Sequence, residues 1–339
     1  MRRVKFILTF LPIIFTAQAC DLLLGGSDSS GIQGVFFSVD SGDSWQAGKP
    51  KGEVNLSGAS VWRLFVEGSK PQNIIAASAN QGLLGSDDHG ATWLRLLPDF
   101  TAYDAFINPF NDREIFAAGS KRRLATIYKS PDRGATWLQV YNEPTGKISV
   151  TVLAFDRSDS ETMYAGLSTG TILKSVDRGD TWNSLMADFD DRVVDLAATR
   201  NVVYSLNLQS GLHRSVDGGR TWTDVDFDEA ANSFNDLYVD PASEQTLYLA
   251  TNEGLYRSTD SGQNWSKLPL PASPEVTNVT AVDVNPSRKS QIFAGIKSTV
   301  YRSDDNGANW RTIQLPTNRT ISSIVIDPFE PNRIYTGLR

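Results

Sequence analysis

The sequence predicts an all-β protein, a single seven-bladed β-propeller with four antiparallel strands in each blade. Three observations support this prediction. An eight-residue motif recurs seven times at a near-constant interval, and short runs rich in Val, Ile, Tyr and Phe flank its copies. No segment beyond the N-terminal leader has the pattern of a long amphipathic helix. Repeats of this length are typical of propellers and solenoids.

The motif has the form S-x-D-x-G-x-[STN]-W. The Trp-to-Trp intervals are 48, 44, 45, 40, 43 and 45 residues, and each interval leaves room for four short strands. About 44 residues with four strands is the size of one propeller blade. The seven copies are SVDSGDSW at 38–45, SDDHGATW at 86–93, SPDRGATW at 130–137, SVDRGDTW at 175–182, SVDGGRTW at 215–222, STDSGQNW at 258–265 and SDDNGANW at 303–310.

The two ends of the repeat array predict how the ring closes. The array begins with GVFFS and the first motif, which are the third and fourth strands of a blade, and it ends with ISSIVIDP and RIYTGL, which are a first and a second strand. We therefore expect the N-terminal strands to pair with the C-terminal ones and complete one blade. Such pairing would leave no open sheet edge between the ends.

The motif residues are those of a tight hairpin between the third and fourth strands. An Asp carboxylate can accept hydrogen bonds from backbone N–H groups, Gly can adopt a positive φ, and Trp can pack on the neighbouring sheet. A calcium loop is the alternative, but the motifs lack the further carboxylates that a calcium cage needs. We assign a structural role to Asp40, Asp88, Asp132, Asp177, Asp217, Asp260 and Asp305 and to Trp45, Trp93, Trp137, Trp182, Trp222, Trp265 and Trp310.

These motifs resemble the Asp-box (BNR) repeats, and the resemblance covers residues 34–339. That family includes sialidases, xyloglucanases, the sortilin luminal domain and photosystem II assembly factors. The resemblance implies that the motif hairpins lie away from any active or binding site. Sialidases use a six-bladed ring and an Arg-Ile-Pro motif, which this chain lacks, and xyloglucanases place paired carboxylates between two propellers. The plan is most similar to the assembly factors, although the repeated Gly-Trp stretch of their first strands is absent.

The N-terminus predicts export. Residues 1–19 join a basic start, the apolar stretch FILTFLPIIF and small residues before Cys20, which is the single cysteine of the chain. The arrangement resembles a bacterial lipoprotein signal, so we expect Cys20 to be acylated, residues 20–31 to form a flexible tether and the propeller to span 32–339. The alternative is ordinary cleavage after Ala19, which would leave a free thiol. We expect a membrane-anchored protein on the periplasmic or outer-surface side.

Charge and composition argue against several possible functions. The chain has 32 basic and 39 acidic residues, a net charge of −7, which argues against a nucleic-acid partner. We expect no cofactor and no metal, since His89 and His213 lie within or just before motif turns and are expected to be solvated there. No nucleophile motif or phosphate loop is present, and the sequence does not select a catalytic carboxylate pair.

We therefore expect a monomeric, non-enzymatic scaffold that binds or helps assemble a protein or peptide partner. The alternative is a glycan-binding propeller or a glycoside hydrolase. The binding surface is expected opposite the motif hairpins, where Trp62 should lie near the channel mouth, either packed in the core or exposed to a peptide or sugar. Two charged groups belong to the same surface: Lys121, Arg122 and Arg123 on a loop at 119–126 longer than its equivalents, and Asp188, Asp190, Asp191, Asp226 and Asp228 on inter-blade loops.

Overall fold

The computed structural model describes residues 34–66, 70, 72–185, 189–200, 202–227, 231–273 and 277–339. These residues form 29 β-strands. Among the described residues, no helix is long and apolar enough to cross a membrane. Cys20, Asp188 and Asp228 lie outside the described residues, so the predictions made for them remain predictions.

The strands, in chain order, are β1 Val35–Ser38, β2 Gln46–Ala47, β3 Lys49–Pro50, β4 Val61–Val66, β5 Ile74–Ser78, β6 Gly82–Ser86, β7 Thr92–Leu97, β8 Thr101–Ile107, β9 Ile115–Lys121, β10 Leu124–Ser130, β11 Leu138–Asn142, β12 Val150–Phe155, β13 Met163–Leu167, β14 Ile172–Ser175, β15 Asn183–Ser184, β16 Val193–Ala198, β17 Val203–Asn207, β18 Gly211–Ser215, β19 Thr223–Asp224, β20 Phe234–Val239, β21 Leu247–Thr251, β22 Gly254–Ser258, β23 Ser266–Lys267, β24 Ala281–Val284, β25 Ile292–Ile296, β26 Thr299–Ser303, β27 Arg311–Gln314, β28 Ile321–Ile326 and β29 Ile334–Leu338.

The strands form seven antiparallel sheets, which are the seven predicted blades. Blades 1 to 6 follow the chain as β4–β7, β8–β11, β12–β15, β16–β19, β20–β23 and β24–β27. Blade 7 has the order β2-β1-β29-β28, in which Val35 to Ser38 pair with Gly337 to Ile334. Each first strand contacts the first strand of the next blade, from β4 through β28 and back to β4. The predicted closure by the two ends of the array is therefore confirmed.

Blade 1 differs from the predicted four strands by one addition. The loop after the first motif contributes β3, which pairs in parallel with Thr92 and Trp93 of β7. Gly48 allows this pairing, because a Cβ there would lie only 2.7 Å from Nε1 of Trp93. The added strand covers Trp93, which is fully buried.

The hydrophobic core lies between the blades. In each motif the Trp packs with apolar side chains of the preceding blade; Trp182, for example, contacts the cluster that contains Phe116 and Ile127 of blade 2. The second strands are buried along their whole length in the five-residue segments β5, β13, β17, β21, β25 and β29. Burying both faces of a strand requires apolar side chains at successive positions, as in IIAAS and IFAGI.

Candidate functional site

The motif hairpins lie on one face of the ring, which we call the motif face. In each motif the Asp accepts hydrogen bonds from the preceding Ser and from the residue four positions later. For Asp177 these are the Ser175 hydroxyl at 2.8 Å, the Thr181 N–H at 2.9 Å and the Thr181 hydroxyl at 2.5 Å. The indole N–H donates to the motif Gly carbonyl for each motif Trp except Trp265. Both carboxylate oxygens are thus occupied within the turn.

These hydrogen bonds lower the pKa of all seven motif carboxyls. In Asp40 and Asp88 burial acts in the opposite direction and is the largest single influence, but the combined hydrogen bonds outweigh it. Carboxylates held ionised by their own turn are suited to stabilising the hairpin, and they are poor candidates for a general acid.

The opposite face, which we call the mouth face, holds the loops from second to third strands and from fourth strands to the next blade. At its centre the channel opens into a cavity of about 250 Å³ lined by side chains from all seven blades. A β-bulge shifts the register near the start of six of the first strands, as between Val61 and Arg63 in blade 1. The bulge exposes two consecutive residues to the channel, for example Trp62 and Arg63.

Carboxylates in the channel connect neighbouring blades. Asp104, Asp195 and Asp236 occupy equivalent positions on β8, β16 and β20. Each accepts a hydrogen bond from a backbone N–H in the next first strand: Leu153 at 2.8 Å, Leu237 at 3.1 Å and Val282 at 2.8 Å, respectively. First strands of adjacent blades do not form a ladder with each other, so these side chains satisfy N–H groups that would otherwise be buried without a partner.

In four blades, the residue immediately before this position of the first strand has a hydroxyl or amide side chain. These side chains donate hydrogen bonds to backbone carbonyls at the start of the next first strand. The Thr151, Thr280 and Ser322 hydroxyls donate to the carbonyls of Val193, Ile321 and Val61 at 2.5–2.6 Å. The Asn235 side-chain amide donates to the Val279 carbonyl at 2.8 Å. These polar residues therefore join the ring from blade to blade.

Arg63 crosses the channel below the mouth. Its guanidinium lies 2.9 Å from Asp195 and 3.0 Å from Asp236, and it also donates to the Val194 carbonyl at 3.1 Å. Burial alone would lower the pKa of Arg63, but the attraction of the two carboxylates raises it. Burial raises the pKa of Asp104 to about 6, although the charge of Arg63 acts against this. Arg63 is thus neutralised by its partners and contributes no free cation to the mouth.

Above Arg63, the mouth contains aromatic rings and two further arginines. The guanidinium of Arg339 lies 4.3 Å from the Trp62 ring centre and that of Arg192 lies 5.1 Å from it. Tyr103 contacts Trp62 edge-on at 5.5 Å and lies 5.6 Å from the Arg192 guanidinium. Trp62 is near the mouth as predicted, and it is neither a fully buried core residue nor an open platform, because arginines cover its ring.

The mouth cavity contains two arginines that are not paired with a side-chain carboxylate of the described residues. Within the described residues, neither Arg192 nor Arg339 has an ion-pair partner, and no Asp or Glu lines the cavity. Burial lowers the pKa of both groups, but an arginine stays charged at neutral pH. Nε of Arg192 and Nε1 of Trp62 are buried without a hydrogen-bond partner in the described structure. Buried N–H groups without partners are costly, so an anionic group with acceptor oxygens is the ligand that this cavity favours.

The basic group Lys121, Arg122 and Arg123 lies on the mouth face, in the hairpin that joins β9 to β10. We expected a long loop there, and that expectation was wrong: β9 and β10 each have seven residues and are joined by two turn residues. Arg122 and Arg123 both have positive φ, 52° and 70°, as in a type I′ turn. The hairpin is long because its strands are long.

The described acidic residues of the mouth face have different surroundings. Asp190 and Asp226 are exposed. Asp191 accepts hydrogen bonds from the backbone N–H groups of Gln209 and Ser210 and from the Ser210 hydroxyl. Asp191 therefore holds a turn of blade 4, and these bonds lower its pKa although burial acts against them.

One histidine is not solvated as we expected. The His213 side chain is only 5% exposed, and the Phe189 ring stacks on it at 4.1 Å. Its Nδ1 lies 2.8 Å from Asp224 and its Nε2 lies 3.1 Å from the Ser210 hydroxyl. This Ser–His–Asp order resembles a nucleophile triad, but Asp191 already occupies the N–H groups beside Ser210. The network consequently holds two loops together, and, of the groups that the structure describes, the two N–H groups beside Ser210 are not free to bind an oxyanion.

Sequence reasoning missed Arg63, Arg192, Arg339 and the three channel carboxylates. A signal for part of this set exists, because Asp104, Asp195 and Asp236 recur at one position of the aligned repeats and Arg63 stands at that position in blade 1. The approach of Arg192 and Arg339 to Trp62 has no such signal, since these residues are 130 and 277 positions from Trp62 in the chain. The described residues contain no group of three His, Cys, Asp or Glu placed to hold a metal.

Comparisons with known proteins support the predicted resemblance. A family model described as sortilin, neurotensin receptor 3, matches residues 210–297. A xyloglucanase from a Paenibacillus species is 25% identical over 250 residues, and a probable oligoxyloglucan-reducing end-specific xyloglucanase from Neosartorya fischeri is 29% identical over 128 residues. The chain spans 24% and 15% of the lengths of these two curated relatives.

Solved structures show the same fold. The GH74 xyloglucanase from Xanthomonas campestris superposes with a TM-score of 0.70 at 18% identity, over 83% of this chain and 51% of the enzyme. A structure of YCF48 bound to a D1 peptide superposes with a TM-score of 0.64 at 15% identity, over 83% of this chain and 94% of YCF48. YCF48 from Cyanidioschyzon merolae gives a TM-score of 0.64 at 13% identity. At these identities the likeness concerns the fold.

Proposed function

We propose that this protein is an exported, lipid-anchored propeller that binds a protein or peptide partner at the channel mouth and helps to assemble or stabilise it. The observation that most supports this proposal is the cavity in which Arg192 and Arg339 lie over Trp62 without a carboxylate partner among the described residues. An acidic side chain or other carboxylate of the partner would bind there, supplying acceptors to buried N–H groups.

One comparison and two features of the mouth cavity support a partner-binding ring. This chain covers 94% of the YCF48 chain that was solved with a peptide, and it covers 51% of the GH74 enzyme. The mouth cavity also lacks, within the described residues, the pair of carboxyls that glycoside hydrolysis requires. Because two arginines cover Trp62, its ring is a poor surface for stacking a neutral sugar.

Affinity capture from membranes of the source organism tests the partner site. The wild-type protein should retain a specific partner, and Arg192→Gln should reduce its recovery at least fivefold because the cation is lost. Arg200→Gln is the matched control, since Arg200 is an exposed residue on the motif face. Equal recovery by wild type and Arg192→Gln would place the contact elsewhere on the ring.

A glycan-active function is the second candidate, and the two xyloglucanase relatives are the observation that favours it. Reducing-sugar release from xyloglucan by the purified protein measures it directly. We expect no release above the level of a heat-denatured sample. Sustained release that disappears on changing a carboxylate would replace our proposal with a glycoside hydrolase.

The lipid anchor is tested separately at Cys20. Cys20→Ser should abolish incorporation of a radioactive fatty acid and release the protein from membranes, because the thiol is the acylated group. Cleavage of residues 1–19 without incorporation in the wild type would favour ordinary export and a free thiol.

A further inference from the structure

A cluster of four basic residues stands on the mouth face, on blade 2 and on the loop that precedes blade 3. Lys121, Arg122 and Arg123 form the end of the β9–β10 hairpin, and the Lys147 N–H donates to the Arg123 carbonyl at 2.8 Å. This backbone bond holds the loop that precedes blade 3 against the hairpin turn. We call these four residues the basic rim.

The geometry of the basic rim is unusual for non-glycine residues. Arg122, Arg123 and Lys147 have φ values of 52°, 70° and 71°, in a region where Asn and Gly are favoured. Asn-Gly would suit a type I′ turn better than Arg-Arg.

The basic rim has no ion-pair partner among the described residues. Glu143, the acidic residue of the adjoining loop, instead accepts hydrogen bonds from the Tyr141 and Thr145 hydroxyls. Arg122 also borders a polar groove of about 280 Å³ that Arg95, Asn80 and Ser120 line together with one acid, Asp99. The groove is large enough for a phosphate group with its ester substituent.

The N-terminal segment joins the ring on this same face. Gly34 directly precedes β1, a third strand, so it occupies the position of a loop between second and third strands. The 14 residues from Cys20 to Gln33 can reach at most about 50 Å. If Cys20 is acylated, as in the function proposed above, this length is the farthest that the attachment point on the ring can lie from the membrane surface.

We propose that the mouth face docks on anionic phospholipid headgroups through the basic rim, with a headgroup phosphate held in the groove beside Arg122. This surface is separate from the partner cavity and goes beyond the function proposed above. The net charge, which is −7 for the full chain and −10 for residues 20–339, does not prevent such contact, because charges more than about 8–10 Å apart are screened at physiological salt. Asp190 and Asp226 lie on the loops before and after blade 4, so the ring would tilt with blade 2 nearest the lipid.

Vesicle co-sedimentation tests the proposal with the chain from residue 20 carrying Cys20→Ser, which retains the whole ring. We expect binding to phosphatidylglycerol vesicles, little binding to phosphatidylcholine vesicles, and loss of binding at high salt. Arg122→Asn/Arg123→Gly should reduce binding roughly 30-fold, on a scale of about fivefold for each basic residue near an anionic surface. This variant supplies the favoured turn residues, so its fold should remain intact.

The matched control is Arg200→Asn/Arg220→Asn, which removes two exposed cations from the motif face. It should bind vesicles as the wild type does. Absence of wild-type binding, or an equal loss in the control, would overturn the proposal. Direct binding of free glycerol phosphate at millimolar concentration, without vesicle binding, would assign the groove to a soluble phosphate compound. Rim-dependent capture of an acidic protein without vesicle binding would assign the rim to that protein. None of these vesicle measurements involves Arg192, the residue that tests the partner site.

Discussion

At the scale of single residues, the channel is organised by charge. Asp104, Asp195 and Asp236 each bond a backbone N–H of the neighbouring blade, and Arg63 joins the last two across the channel. The carboxylates thus have two roles, as acceptors between blades and as counter-ions for Arg63. Arg192 and Arg339 above them lack such partners among the described residues, and this difference distinguishes the mouth cavity from the channel below it.

Replacing Arg63 should destabilise the ring. Arg63→Gln leaves the charges of Asp195 and Asp236 buried without a cation, and breaking a buried pair typically costs about 3–5 kcal/mol. Denaturant unfolding should show the loss. Adding Asp195→Asn to Arg63→Gln should recover part of it, and a double variant weaker than the single one would contradict the assigned ion pair.

The pH dependence of stability should have two limbs. Burial raises the folded-state pKa of Asp104 from 3.8 to about 6, so the unfolded chain releases this proton at lower pH than the folded chain. Stability from this group should therefore fall as pH rises from about 4 to 6. The motif carboxyls have lowered pKa values, so their contribution is present above their ordinary pKa and is lost as pH falls below it.

Thermal unfolding from pH 3 to 8 measures both limbs. Asp104→Asn should reduce the fall between about pH 4 and 6 without abolishing it, because burial also raises the pKa of Asp236 and of Asp283. Asp190→Asn, on an exposed side chain, is the matched control and should keep the wild-type profile. An unchanged slope in Asp104→Asn would contradict the assignment.

At the scale of elements, several blades carry a Lys or Arg near the end of the third strand, and its side chain donates a hydrogen bond to the motif hairpin of the next blade. Lys129, Lys174 and Arg257 donate to the carbonyls of Arg178, Gly218 and Asn306 at 3.0, 3.0 and 3.4 Å. Arg302 does the same at the closing interface, where it donates to the Ser41 carbonyl at 2.8 Å. Blade 1 has Gly85 at this position, and a cleft of about 280 Å³ lies beside it.

Arg302→Met should weaken the closing interface. Arg302 is mostly buried and also pairs with Asp43 at 3.0 Å, so its loss should cost about 1.5–3 kcal/mol. Arg311→Met is the control, because Arg311 pairs with the same Asp43 from an exposed position and should cost less than about 1 kcal/mol. Equal midpoints of unfolding for the two variants would show that the link does not contribute.

At the scale of the whole molecule, stability depends on closure. Blade 7 combines strands from both ends of the array, and its residues complete the cores on either side, with Tyr335 beside Trp93 and Phe36 beside Phe293. Burying both faces of each sheet requires a neighbour on both sides, so an open ring exposes two apolar faces. Ring closure is therefore needed for every blade to bury both of its apolar faces, and not only for blade 7.

Deletion of residues 320–339 should abolish cooperative unfolding, because it removes β28 and β29 and leaves β1 without its inner partner. Scanning calorimetry measures this directly. A chain beginning at residue 32 is the control and should melt as the longer chain does, since the predicted ring remains whole. A single sharp transition in the C-terminal truncation would contradict closure as a requirement for folding.

The sequence alone determined the fold of this protein, because its information is local and repeated. Motif spacing predicts the blades, alternation of apolar residues predicts the strands, and the strands at the two ends predict the closure at Val35–Ser38 and Ile334–Leu338. The hairpin turn at Arg122–Arg123 was the local exception, since Arg-Arg does not indicate a two-residue turn. Only the tertiary structure determined which side chains meet at the channel mouth. Trp62, Arg192 and Arg339 come from three blades, and ring closure alone brings the two guanidinium groups within about 5 Å of the Trp62 ring.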